Sequence, residues 1–282
     1  MGQSLLITLR EGLEMGLVVV VVLAYLSKVG QRAYWKHALL GTAAAVAASF
    51  LVGALIFVVA GELEGRAEQV FEGSTMLTAV AVLSWMIVWM KGRAVHMQGH
   101  LQSQVQSALA VGSALGVAAI PFVAILREGV ETTLFMFAAA RTSTPAESSV
   151  GASLGLAGAL VLSYLIYRGG KRISLRRFFN VTGVLLILSA VGLLAHGISE
   201  LQDAGLVPSV VEHVWNISGV LSDERGVGEW LKGILGYNAD PSLVEVVVYP
   251  LYLGTALWYF LRARPEAARV GLRPVAERVA TR

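Results

Sequence analysis

The chain has 282 residues, of which 56% are hydrophobic and only 15% charged, with no cysteine and a formal net charge of +3. Soluble domains give about a quarter of their residues to charge, so this composition excludes an ordinary water-soluble protein and points to a bilayer. The lack of cysteine also excludes thiolate metal ligands and disulfides.

Apolar runs lie near residues 3–27, 38–60, 70–90, 115–140, 149–167, 178–198 and 246–261. A helix needs roughly 20 apolar residues to cross the hydrocarbon core, so the pattern predicts an all-α integral membrane protein with seven transmembrane helices. The first run has no basic residue before its apolar core, which argues for a retained helix over a signal peptide. The organisation read from the chain is a three-helix unit over 1–105, a second over 106–198, an extracytoplasmic loop over 199–245, a seventh helix over 246–262 and a basic tail over 263–282.

Charge sets the orientation, because basic residues collect on the cytoplasmic side. Lys28, Arg32 and Lys36 lie between spans 1 and 2, Lys91 and Arg93 between 3 and 4, and Arg168, Lys171, Arg172, Arg176 and Arg177 between 5 and 6. Six more arginines follow span 7, and the intervening loops hold most of the acids, including Glu62, Glu64 and Glu68. This places the N-terminus outside and the C-terminus in the cytoplasm of a cell inner membrane protein. The isoelectric point near 9.3 thus reports topology and contact with the lipid surface, not a nucleic-acid footprint.

Seven charged residues remain inside the spans: Arg10, Glu11, Glu14, Glu72, Arg127, Glu128 and Glu131. Six of them form a duplication, since "LREGVE" at 126–131 repeats "LREGLE" at 9–14, 117 positions on. Span 3 aligns more loosely with span 6, Phe71 against Phe179 and Glu72 against Asn180. A repeated unit with an odd number of helices inserts the second time upside down, which predicts two inverted repeats with a site at their interface. At 100° per residue, Arg10, Glu11 and Glu14 share a third of the helix circumference. Gly12 and Gly16 lie opposite, as a small-residue face for close helix packing.

Two faces of this kind would present four carboxylates and two guanidinium groups. Intramembrane charge is costly and usually marks a pathway, while carboxylate oxygens suit hard cations such as iron, manganese, magnesium or calcium. The alternatives are a purely structural set of ion pairs fixing helix register, or an intramembrane carboxylate-metal enzyme. Di-iron bundles add histidine through Glu-x-x-His pairs, and neither motif here has one. No phosphate-binding Gly-x-x-x-x-Gly-Lys-Ser/Thr loop is present to couple ATP hydrolysis.

Together with "FEG" at 71–73, "HGISELQDAG" at 196–205 and "LGYNADPSLVE" at 235–245, the paired motifs resemble the oxidase-dependent iron transporter family over about residues 3–260. The resemblance implies a high-affinity iron permease, with Glu11, Glu14, Glu128 and Glu131 binding and passing iron and Arg10 and Arg127 pairing their charges. It implies iron as cargo, no permanently bound cofactor and extracytoplasmic donor partners. In bacterial relatives these are a cupredoxin-like component and a haem peroxidase; in fungal ones, a multicopper oxidase. Spacing alone leaves manganese or another divalent cation open.

A second tier of residues lies around this core. Glu72 reads as a further ligand or an outer interfacial residue. Glu62, Glu64 and Glu68 read as an acidic rim or as solvated loop charge. His196 and Glu200, four apart near the outer end of span 6, read as metal ligands or as a satisfied helix-end pair. His96 and His100, at the same spacing on the cytoplasmic side, read as receivers of released metal or as a solvated loop pair. Residue 114 or Pro121 is the predicted start of span 4, and the choice decides whether the two motifs share one site or form two stations.

Overall fold

The computed structural model describes residues 1–93, 97–141, 143–169, 175–208, 211, 213–222 and 226–262. The basic tail 263–282 and His96 lie outside them. Among the described residues the chain is helical and carries no strand. The elements are α1 (Gly2–Lys28), α2 (Trp35–Gly61, after a 3-10 turn at Arg32–Tyr34), α3 (Arg66–Arg93), α4 (Met97–Ala110), α5 (Ala114–Ala140), α6 (Pro145–Tyr167), α7 (Leu175–Asp203), α8 (Gly226–Leu235) and α9 (Leu243–Arg262).

Five of these, α2, α3, α6, α7 and α9, are long and apolar enough to cross a membrane. The 27 residues of α1 and of α5 are as long, but each helix carries an arginine and two glutamates. Local chemistry explains the boundaries. Gly112 turns the chain at φ +67°, and the Ser113 side chain accepts from Gly116 N–H to cap α5. Helix α5 therefore starts at Ala114, and Pro121 sits inside it without ending it. Thr144 caps α6 ahead of Pro145 at the first helical position. Within 199–245, α7 runs on to Asp203, and α8 and the start of α9 add further helix.

Packing does not follow chain order. Helix α1 lies mainly against α6, α2 against α5, and α3 against α7. Small residues dictate this. On α6, Gly151, Gly155, Ala159 and Ser163 form a buried row at every fourth position, and Gly41, Ala45, Ser49 and Gly53 repeat that row on α2. A Cβ at Gly12 would meet Ala159 and one at Gly16 would meet Ser163, while one at Gly129 would meet Ser49 and one at Gly53 would meet Thr133. The glycine face of α1 is thus covered by a matching helix, as the wheel predicts. Because contacts along α1 and α6 rise together in number, the two helices are parallel neighbours, and so are α2 and α5. Contacts between α3 and α7 run the other way, with Gly73 against Leu201 and Gly197 against Met76.

The largest apolar core joins α1, α3, α5, α7 and α9, with Ile7, Met76, Leu83, Phe135 and Leu193 all essentially fully buried. The outer faces of α2 and α6 expose Phe50, Leu51, Leu55, Leu160 and Val161, a surface suited to lipid.

Candidate metal site

The charged faces of α1 and α5 meet. Ligand oxygens of Glu11, Glu128 and Glu131 all lie within 4.8 Å of one another, a separation one cation can bridge. With α5 starting at Ala114, its motif comes beside the α1 motif, as the one-site alternative expects. Glu14, the fourth predicted ligand, falls outside this set of three. It is buried beside Arg10, whose Nε lies 3.4 Å from a Glu14 oxygen and whose Nη1 lies 3.6 Å from Glu11. Across the interface, Arg127 Nε donates to Glu131 at 2.8 Å and stands 3.9 Å from Glu128.

The two motifs are alike in sequence and unlike in surroundings. Glu11 is 0% exposed and the Arg10 side chain 3%, whereas the Arg127 side chain is 44% exposed. The Oε2 atoms of Glu11, Glu128 and Glu131 are buried without a hydrogen-bond partner. Buried acceptors are normally satisfied, and a cation held among these carboxylates would satisfy them.

One turn from the cluster, toward the start of α1 and the end of α5, Ile7 and Phe135 join Met76 and Leu193 in a buried apolar layer. Beyond that layer lies a second charged group. Glu72, only 7% exposed, pairs with Arg141 Nη1 at 2.5 Å, and Glu68 stands 3.7 Å from the same nitrogen. Glu68 belongs to the first turn of α3 and not to the loop predicted for it. Arg141, the C-cap of α5, was not singled out from sequence. Its signal was a lone arginine at the end of a span in the acid-rich outer half.

Glu200, half-buried on α7, lies in the field of Glu72, Glu68 and Arg141; His196 is half-buried on the same helix. Glu62 and Glu64 are exposed in the turn before α3. His100 is exposed and hydrogen-bonds Gln104 on α4 at 3.1 Å. Gln3 is a further residue sequence reasoning passed over: it is buried on the wheel face of Arg10 and Glu14, seven positions before Arg10.

A multi-helix membrane protein with a carboxylate cluster buried between two of its helices belongs to the class of cation permeases. Comparison with known proteins makes this specific: residues 1–264 match the iron permease FTR1 family, and the chain belongs to that family. It is similar to the ferrous iron permease EfeU of Escherichia coli O157:H7, at 37% identity over 270 residues covering 94% of this chain and 98% of the relative. The ferrous iron permease EfeU of Yersinia pestis is 34% identical over 266 residues, 93% of this chain and 94% of the relative. A 36% identical protein of E. coli K12 is named a putative inactive ferrous iron permease EfeU. No solved structure matches. The relatives are permeases, so the enzyme alternative is set aside.

Proposed function

We propose that this chain carries ferrous iron across the cytoplasmic membrane into the cell, binding it between α1 and α5. The observation that carries the reading is the meeting of Glu11, Glu128 and Glu131 oxygens within 4.8 Å. Charge supports the oxidation state. When ionised, the four motif glutamates against two arginines leave two negative charges, which one divalent cation neutralises. The relatives' names, ferrous iron permeases, support the same cargo.

In this reading α1 and α5 are spans as well, giving seven, and two three-helix units insert in opposite senses. The parallel α1–α6 and α2–α5 seams support it, because an inverted repeat pairs the first helix of each unit with the second helix of the other. The N-terminus is outside and the basic tail inside. Arginine acts as the resident counter-ion: Arg10 and Arg127 offset carboxylate repulsion in the empty site and give up their carboxylates to the metal, so that occupancy changes the contact between two helices. Carboxylates bind metal only when deprotonated, so uptake weakens in acid. The permease takes its iron from extracytoplasmic partners of the cupredoxin-like and haem peroxidase or oxidase kind.

Purified protein in liposomes tests this. We expect iron(II) uptake in the parent and less than about a tenth of it in Glu11→Gln and Glu131→Gln, a loss in keeping with removal of a charged metal ligand. Undiminished uptake in both variants overturns the mechanism, and manganese uptake without iron overturns the substrate.

A further inference from the structure

The charged group at the far end of α5 has a shape of its own. Arg141 projects from the C-terminal end of α5 between Glu68 and Glu72 on the first two turns of α3. Its guanidinium also lies 5.1 Å over the Phe137 ring. Phe137 is held edge-on by Phe57 of α2 at 5.3 Å and by Phe71 of α3 at 5.7 Å. Two faces therefore meet: Glu68, Phe71 and Glu72 from α3, and Phe137 and Arg141 from α5. Spacings of three and four set each row on one side of its helix. The contact stands ten residues, about 15 Å along the axis, from Glu131, with the Ile7–Phe135 layer between.

We propose that Arg141 is a latch, a positioning residue that holds the ends of α3 and α5 together and so keeps the glutamate cluster shut on that side. This rests on the transport reading, in which that side is the outer one. The cluster's accessible edge, at half-exposed Arg127, faces away from the latch. The pseudo-equivalent positions at the opposite end, offset by 117 on α1 and by 108 on α7, carry Val20, Ala24 and Asn180. Those residues cannot form an arginine–carboxylate contact, so the two ends of the path close by different means. Opening the outer side requires Arg141 to leave Glu72.

The chain has no cysteine, so a single introduced thiol reports accessibility without background. Ala138 is fully buried in the core below the latch, and Ala138→Cys is a small change. In intact cells, a membrane-impermeant maleimide added outside should label Ala138→Cys slowly. Adding Arg141→Gln should speed labelling at least about tenfold, since a charged hydrogen bond of ordinary strength shifts a closed–open balance by that much. Glu72→Gln should do the same, Arg141→Lys should stay near the parent, and the exchange Arg141→Glu with Glu72→Arg should restore protection. Equal labelling with and without Arg141→Gln, or fast labelling that the exchange does not reverse at equal amounts of membrane-inserted protein, overturns the latch. Because labelling is read without iron, loss of uptake in the motif glutamate variants and failure of the latch are separate outcomes.

Discussion

Glu11 and Glu14 differ by one helical turn and in their surroundings. Glu11 faces Glu128 and Glu131 across the helix interface, whereas Glu14 is held by Arg10 on its own helix. Replacing Glu128 by Gln should weaken the apparent iron(II) affinity of uptake at least about tenfold, and Glu14→Gln should weaken it less, because it loosens Arg10 without removing an oxygen from the set of three. Glu62→Gln and Glu64→Gln, in an exposed turn, should stay within about twofold, since exposed charge contributes little. A concentration series of iron uptake orders these variants; equal losses in Glu128→Gln and Glu62→Gln would argue against a localised site. Much of this was legible in the sequence, because charge inside an apolar run singles itself out and the duplication doubles the signal. The split between Glu14 and the other three was not, since a wheel gives angle within one helix and says nothing about the distance to a second. Arg141 was hidden for a similar reason: its partners lie on a helix some seventy positions earlier in the chain.

Among elements, the informative contacts are the seams between α1 and α6 and between α2 and α5. In lipid, apolar side chains gain little by leaving their solvent, so close backbone approach through small residues takes over as the source of association. Filling a seam should therefore cost more than an ordinary surface change. Gly16→Val would drive a side chain into Ser163 and should destabilise by about 1–3 kcal/mol. Gly254→Ala on α9 meets nothing within 4 Å and should be neutral or slightly stabilising, as alanine suits a helix better. Thermal unfolding in detergent compares the two, and a Gly16→Val variant as stable as the parent would remove the seam from the account. The existence and extent of the long helices were readable from hydropathy. Which helices pair was not, because consecutive elements are usually neighbours and here α1 prefers α6 over α2. The every-fourth-residue rows on α2 and α6 are the sequence signal that could have named the pairs.

The two ends of the helix bundle differ in charge along the sequence. Orientation is tested by two further single thiols, at Ser218 in the segment after α7 and at Gln106 on α4, both exposed. The impermeant reagent should label Ser218→Cys in intact cells and Gln106→Cys only after permeabilisation; the reverse pattern would invert the topology. Excess lysine and arginine between spans is the sequence signal that predicts this orientation. The buried apolar layer beside the glutamates has no such signal, because Ile7, Met76, Phe135 and Leu193 come from four separate helices and each alone looks like any lipid-soluble residue.

The parallel seam between α1 and α6 also bears on how the protein is made. Helix α1 leaves the ribosome first, and its glycine face has no partner until residues 29–144 have followed and α6 is inserted. For the first part of that interval, until residues 29–113 have followed, Arg10, Glu11 and Glu14 are also without α5. The spacing of Arg10 and Glu14, one turn apart on one helix, lets the motif cancel most of its charge internally. The ion pair that yields to the metal in the transport reading would thus serve earlier as the helix's passport into the membrane.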